Sequence, residues 1–183
     1  MPVVSLSTFR AMLRIDFDAD DAMLSFYLDA AAAFVERHTR RKLSLVTRTV
    51  VVHEDWPDSI TLPFPPFVSV TAVTYKDTAG ATQTLSSSKY RINESGPLAR
   101  VEFYDDLPDQ HADVPRIAVA HTCGYAAGAI PHDLQLAVMR IAGTYYMNPE
   151  AVAMLTLNEV PFGARAVINN YAVPTLSADG LDA

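Results

Sequence analysis

The sequence has one cysteine, Cys123, seven glycines, and fewer basic than acidic side chains, 14 Lys and Arg against 21 Asp and Glu. One cysteine rules out an intramolecular disulfide framework and any zinc site built on paired thiolates, and it fits a reducing compartment. The glycines never fall into a G-x-x-x-x-G-K phosphate cradle, and no serine stands in a G-x-S-x-G elbow. The five histidines, His38, His53, His111, His121 and His132, include no pair spaced to hold a metal from one helix. A formal charge of −7 argues against nucleic-acid binding, which needs clustered cations to neutralise phosphates. No run of about 18 apolar residues exists to cross a membrane. The start, Met1-Pro-Val-Val-Ser-Leu6, lacks the charged segment, apolar stretch and cleavage site of a secretion signal, so a soluble intracellular product is expected.

What is present is a chain of 183 residues, half of them hydrophobic, enough for one well-buried core or a core with an appended subdomain. Ser5-Leu-Ser7 offers N-cap hydroxyls to a short helix ending at Leu13, with Phe9, Met12 and Leu13 on one face. Asp16, Asp18, Asp20 and Asp21 form a turn and cap. Counted from Asp16 as a calcium loop, the sixth position is Asp21 rather than glycine and the twelfth is Tyr27 rather than glutamate, so the cap reading prevails. A long helix is expected from about Asp20 to Thr39, with an apolar stripe of Met23, Phe26, Tyr27, Ala30, Phe34 and Val35.

From Leu43 to Tyr125 the period falls to two. Strands are expected over 47–53, 68–75, 90–92, 100–104 and 116–122, with a hairpin turn at Asp77-Thr-Ala-Gly80 leading into 82–85. Pro63, Pro65 and Pro66 confine their segment to an edge or a loop crossing, and 105–115 reads as an exposed acidic loop. Helix returns at Pro131 with Leu134, Ala137, Val138, Ile141 and Tyr145 on the buried face, and Asn148-Pro149 stops it. Residues 150–160 read as a short helical or irregular piece, and the last dozen as mobile in the isolated chain. The fold class expected is α+β: an α-helical bundle with a β-strand insertion between its N-terminal and C-terminal helices. Its parts are the N-terminal helices (1–42), the β-rich insertion (43–126), the C-terminal helices (127–160) and a C-terminal arm (161–183).

No catalytic, cofactor-binding or metal-binding residues emerge. A hydrolase using His121, or His132 with Asp133, would lack a nucleophile and an oxyanion device. His132, in the first turn of a helix, suits a surface or capping role. The basic cluster of Arg37, His38, Arg40, Arg41, Lys42 and Arg48 holds no acid and is either a solvated helix end or a charged contact with a partner subunit. Phe64, Phe67, Phe162 and Tyr171 are candidate aromatic anchors.

An ordered set of segments carries a family resemblance. It comprises Leu62-Pro-Phe-Pro-Pro-Phe-Val-Ser-Val-Thr-Ala-Val-Thr-Tyr75 with the Asp77–Gly80 turn, Tyr90-Arg-Ile92 and His121-Thr-Cys-Gly-Tyr125. It continues with Ile130-Pro-His-Asp-Leu-Gln-Leu-Ala-Val-Met139, Tyr145-Tyr-Met-Asn-Pro-Glu150 and Val160-Pro-Phe-Gly-Ala-Arg-Ala-Val167. In this order they resemble the head–tail connector, or adaptor, proteins of long-tailed phages and gene transfer agents. The sequence departs from that family at its end, where Asn148-Pro-Glu150 and Asn169-Asn-Tyr171 replace an arginine-rich motif and a closing Pro-Tyr-Arg.

The resemblance implies a non-enzymatic virion protein at the head–tail interface, present in the host cytoplasm during assembly. It would form a homo-oligomeric ring of about twelve subunits. The ring would join the portal protein to a stopper or tail-terminator protein and line a channel through which DNA passes without specific binding. An acidic lumen suits that passage. On this reading Pro161, Phe162, Arg165, Val167, Ile168 and Tyr171 are expected to meet the portal. Arg37, Arg40, Arg41, Lys42, Phe64 and Phe67 are expected at subunit contacts, the basic cluster facing the acidic loop around 105–113 of a neighbour. The alternative is a monomeric binding module whose β insertion recognises a peptide or carbohydrate.

Overall fold

The computed structural model describes residues 2–53, 55–111, 117–148 and 162–173. The chain divides into two compact units, one made of 1–43 with 127–183 and one of 44–126. The first contains helices α1 (Leu6–Leu13), α2 (Asp21–Thr39), α3 (His132–Met147) and α4 (Phe162–Tyr171). The second contains strands β1 (Val46–Val52), β2 (Ser59–Thr61), β3 (Phe67–Lys76), β4 (Thr82–Thr84), β5 (Tyr90–Asn93), β6 (Arg100–Phe103) and β7 (Ile117–Cys123).

In the helical unit, the Ser5 hydroxyl accepts the Thr8 N–H at 3.1 Å and starts α1. Arg10 ties α1 to α2 through Asp21 at 3.1 Å. The buried face of α2 is Leu24, Tyr27, Leu28, Ala31, Phe34 and Val35. The expected stripe is therefore rotated by about one residue, because Leu24 and Leu28 occupy the inner positions while Met23 and Phe26 stand 51% and 62% exposed. Each large apolar side chain buried along this face stabilises by about 1.5–3 kcal/mol. Tyr27 packs on Tyr145 of α3, and the Tyr146 hydroxyl donates to Asp20 at 3.0 Å. The expected inner face of α3 is buried, together with Ala142 and Gly143.

The β unit forms two antiparallel sheets, one of order β1-β7-β3-β4 and one of order β2-β6-β5. Ile60, Leu62, Val73, Leu85, Ala99, Val101, Ile117 and Val119 from both sheets and their connections make one core. Strand β7 alternates strictly, with Ile117, Val119, His121 and Cys123 buried. Strand β3 does not: its partners for those four residues are Tyr75, Val73, Val70 and Phe67, because two register shifts each insert an extra residue.

The expected α-helical bundle with a β insertion is corrected by this arrangement. The period-two segments bury their apolar positions between two sheets of their own. Among the described residues the architecture is broadly α+β, with four helices in one unit and seven strands in two antiparallel sheets in the other.

Pro63, Pro65 and Pro66 lie in the connection between β2, an edge strand of the smaller sheet, and β3. Among the described residues no helix is long and apolar enough to cross a membrane. The piece expected at 150–160 lies outside the described residues, as do residues 112–115 of the acidic loop and 174–183 of the end expected to be mobile.

Candidate functional site

The C-terminal candidates converge on the basic cluster. Helix α4 buries Ala164 and Ile168 in the helical unit, and Val173 just beyond it is also buried. Gly163 permits close approach, since a Cβ there would stand 2.3 Å from an Arg140 guanidinium nitrogen. The end of α4 is tied down three times. Arg41 Nε donates to the Tyr171 carbonyl at 2.7 Å, with its guanidinium 5.7 Å from the centre of the Tyr171 ring. The Tyr171 hydroxyl donates to Asp133 Oδ1 at 3.2 Å, and the Val173 N–H donates to the Thr39 carbonyl at 3.0 Å.

Two residues expected on different surfaces, Arg41 and Tyr171, are thus in contact with each other. Ile168 faces inward. Arg165 and Val167 are half-buried, and Pro161 and the Phe162 side chain lie outside the described residues.

The rest of the basic cluster is also partly engaged. Arg37 sits 5.8 Å over the Phe34 ring, and Lys42 pairs with Glu36 at 2.5 Å. Burial, and then the Arg37 charge, hold His38 below its ordinary 6.5, against a charged imidazolium at neutral pH. Arg40 and Arg48 are exposed, and among the described residues neither has an ion-pair partner. Arg40 closes α2 at φ 54, the left-handed region usually given to glycine.

The two candidate phenylalanines separate. Phe67 packs against the β core opposite Cys123. Phe64 stands at the apex of a loop with φ 65, 37% exposed, between Pro63 and the cis-linked Pro65-Pro66. The loop is pinned on both sides: Leu62 N–H donates to the Ala99 carbonyl and Gly124 N–H to the Pro66 carbonyl, each at 2.8 Å. Buried His121 completes the hold, its Nε2 lying 3.2 Å from the Pro63 carbonyl. A carbonyl can only accept, so Nε2 donates in this contact.

Sequence reading missed the residues that face the acidic loop across a cleft of about 410 Å³, chiefly Trp56 and Asp58. The signal was the lone tryptophan in a run of acids, His53-Glu-Asp-Trp-Pro-Asp58. No group of His, Cys, Asp or Glu among the described residues could hold a metal ion.

Among the described residues these surfaces offer docked helices, a pinned aromatic loop and exposed charge. Comparison with curated proteins finds no significant match. Among solved structures, the chain is similar to one in the neck of an empty GTA particle computed with C6 symmetry. The two share 27% identity over 98% of this chain and 94% of that one, at TM-score 0.79. A chain in the virion of a native gene transfer agent particle matches at 27% identity, 98% and 94% coverage and TM-score 0.78. One in the neck of a native GTA particle computed with C12 symmetry matches at 27%, 96% and 92%, and 0.75. The family described as phage gp6-like head-tail connector protein matches residues 3–111. The chain belongs to that family and has a structural, connecting role in the virion.

Proposed function

We propose that the chain forms a homo-oligomeric ring of about twelve copies in the neck, with one face on the portal protein and the other on a stopper or tail-terminator protein. The carrying observation is the likeness, over 98% of the chain, to a subunit of a neck computed with rotational symmetry. The ring lines the channel through which DNA leaves, and the acidic balance of the chain favours passage over grip. Its action is structural rather than catalytic, and assembly takes place in the host cytoplasm before the protein becomes part of the particle.

The arm from Pro161 onward reaches the portal. Ile168 seats α4 from within, while Phe162, Arg165, Val167 and Tyr171 serve the contact. Phe64, on its pinned loop, and the cluster containing Arg37, Arg40, Arg41 and Lys42 serve the contact between subunits, with Phe67 bracing the loop from the core.

The test is to purify the chain alone and with the portal protein of the same particle, and to measure mass by light scattering. A portal complex carrying a ring of copies is expected. A stable monomer that binds no portal overturns the reading.

A further inference from the structure

Helix α2 carries a second apolar face, on the side away from the residues it buries in the helical unit. Met23 and Phe26 lead it, 51% and 62% exposed within the first two turns. Ala30 and Ala33 continue the same face three and four positions further on, Ala30 half-buried and Ala33 exposed. The described helices packed on α2, namely α1, α3 and α4, leave Met23 and Phe26 uncovered.

This face is graded in size and in sign. Its N-terminal half holds the two large side chains and follows Asp16 and Asp18, both exposed. The neighbouring Asp20 and Asp21 are already engaged, by the Tyr146 hydroxyl and by Arg10. Its C-terminal half holds the alanines and runs out to Arg37 and Arg40, both exposed. A face graded in this way is complementary to its own reverse. A second α2 laid antiparallel about Leu28 sets Phe26 opposite Ala30 and Met23 opposite Ala33. It also brings Arg37 and Arg40 level with Asp18 and Asp16.

We propose that this face pairs with the same face of a second copy, antiparallel across a two-fold axis, so that the free chain is a dimer. Large side chains then fill the space left by small ones, and opposite charges meet at both ends. A partner of another kind has to reproduce both gradients in reverse order, whereas a second α2 does so by identity. The pair is also suited to opening. Asp29, exposed near the axis, comes close to its own copy, and like charges at such spacing repel. One helix pair falls at the small end of protein interfaces, where contacts separate readily. A ring about a single axis contains no two-fold, so the dimer belongs to the chain before it joins the ring.

The test uses the full chain in solution. Two preparations, Met23→Cys and Ala33→Cys, are mixed under mild oxidation; the native Cys123 is buried and does not compete. A disulfide-linked heterodimer is expected from the mixture. Neither preparation alone should cross-link, since its two introduced thiols stand about 15 Å apart along the helix pair. A mixture without dimer, or a single variant that cross-links as well, overturns the antiparallel pairing. A chain carrying both cysteines is expected to stop at covalent dimers, and a ladder of larger multimers overturns the two-fold.

A second arm reads association of the free chain by light scattering over a concentration series. Arg37→Asp with Arg40→Asp is expected to weaken it about tenfold, and adding Asp16→Arg and Asp18→Arg to the same chain to restore it. Unchanged association in the first variant, or no recovery in the second, also overturns the pairing. A wild-type chain that dimerises in this way yet binds no portal removes the connector reading and leaves the pairing in place.

Discussion

At the scale of single residues, backbone geometry sets the sharpest demands. Gly124 sits at φ 103, and a Cβ there would lie 2.1 Å from the Ser44 carbonyl oxygen. Neither backbone segment can yield cheaply, so Gly124→Ala is expected to destabilise by about 2–4 kcal/mol, seen as a lower urea midpoint. Asp77 organises the turn after β3, its Oδ1 accepting the N–H groups of Ala79 at 3.0 Å and Ala81 at 2.9 Å. The Gln83 amide, followed by the Ala81 N–H, holds its carboxyl below the ordinary 3.8. A lowered carboxyl contributes fully above its ordinary value and is lost as pH falls through the lowered one. The amide resonances of Ala79 and Ala81 should therefore titrate with a midpoint below 3.8, and Asp77→Asn should abolish that titration. The turn was legible because Asp-Thr-Ala-Gly names its own chemistry. The exposure of Met23 and Phe26 was not, since two adjacent helical stripes both read as apolar and only tertiary contacts choose between them.

At the scale of elements, α4 depends on a few ties at its end. Arg41→Ala removes both the hydrogen bond to Tyr171 and the stacked cation, about 1–2 kcal/mol together. Amide exchange across α4 is expected to speed up roughly tenfold while α3 stays protected. Unchanged exchange would mean that the buried Ile168 and Ala164 hold the helix by themselves. Strand β3 illustrates what periodicity reveals and what it hides. Its position was readable from a β-branched run, but its face was not. With two bulges, the core-facing residues are Phe67, Val70, Val73 and Tyr75 rather than alternate ones, and no local sequence pattern announces a bulge. Helix α4 escaped for a related reason: ten residues beyond the last strong periodic segment carry too little pattern to separate a helix from an arm.

At the scale of the whole molecule, the change of period near residue 43 and its return at Pro131 are what suggest a strand-rich segment in the sequence. Its division into two sheets was not readable, because non-local pairing such as β1 with β7 depends on partners some seventy residues apart. A core shared by two sheets implies independent stability. Residues 44–126 expressed alone are expected to show a β-type circular dichroism spectrum and a single cooperative thermal transition; a featureless melt would show that the helical unit is needed to fold it. As for the candidate surfaces, composition separated the acidic loop from the basic cluster, but only side-chain geometry showed which arginines are already occupied.

Strand β1 lies at an edge of the larger sheet, and its sequence, Val-Thr-Arg-Thr-Val-Val-Val, carries one charge in seven positions. An uncovered β-branched edge is a template for indefinite strand addition, and a lone central cation is a known way to blunt it. Arg48→Val is therefore expected to raise the insoluble fraction of newly made copies, read by sedimentation of the expressed chain.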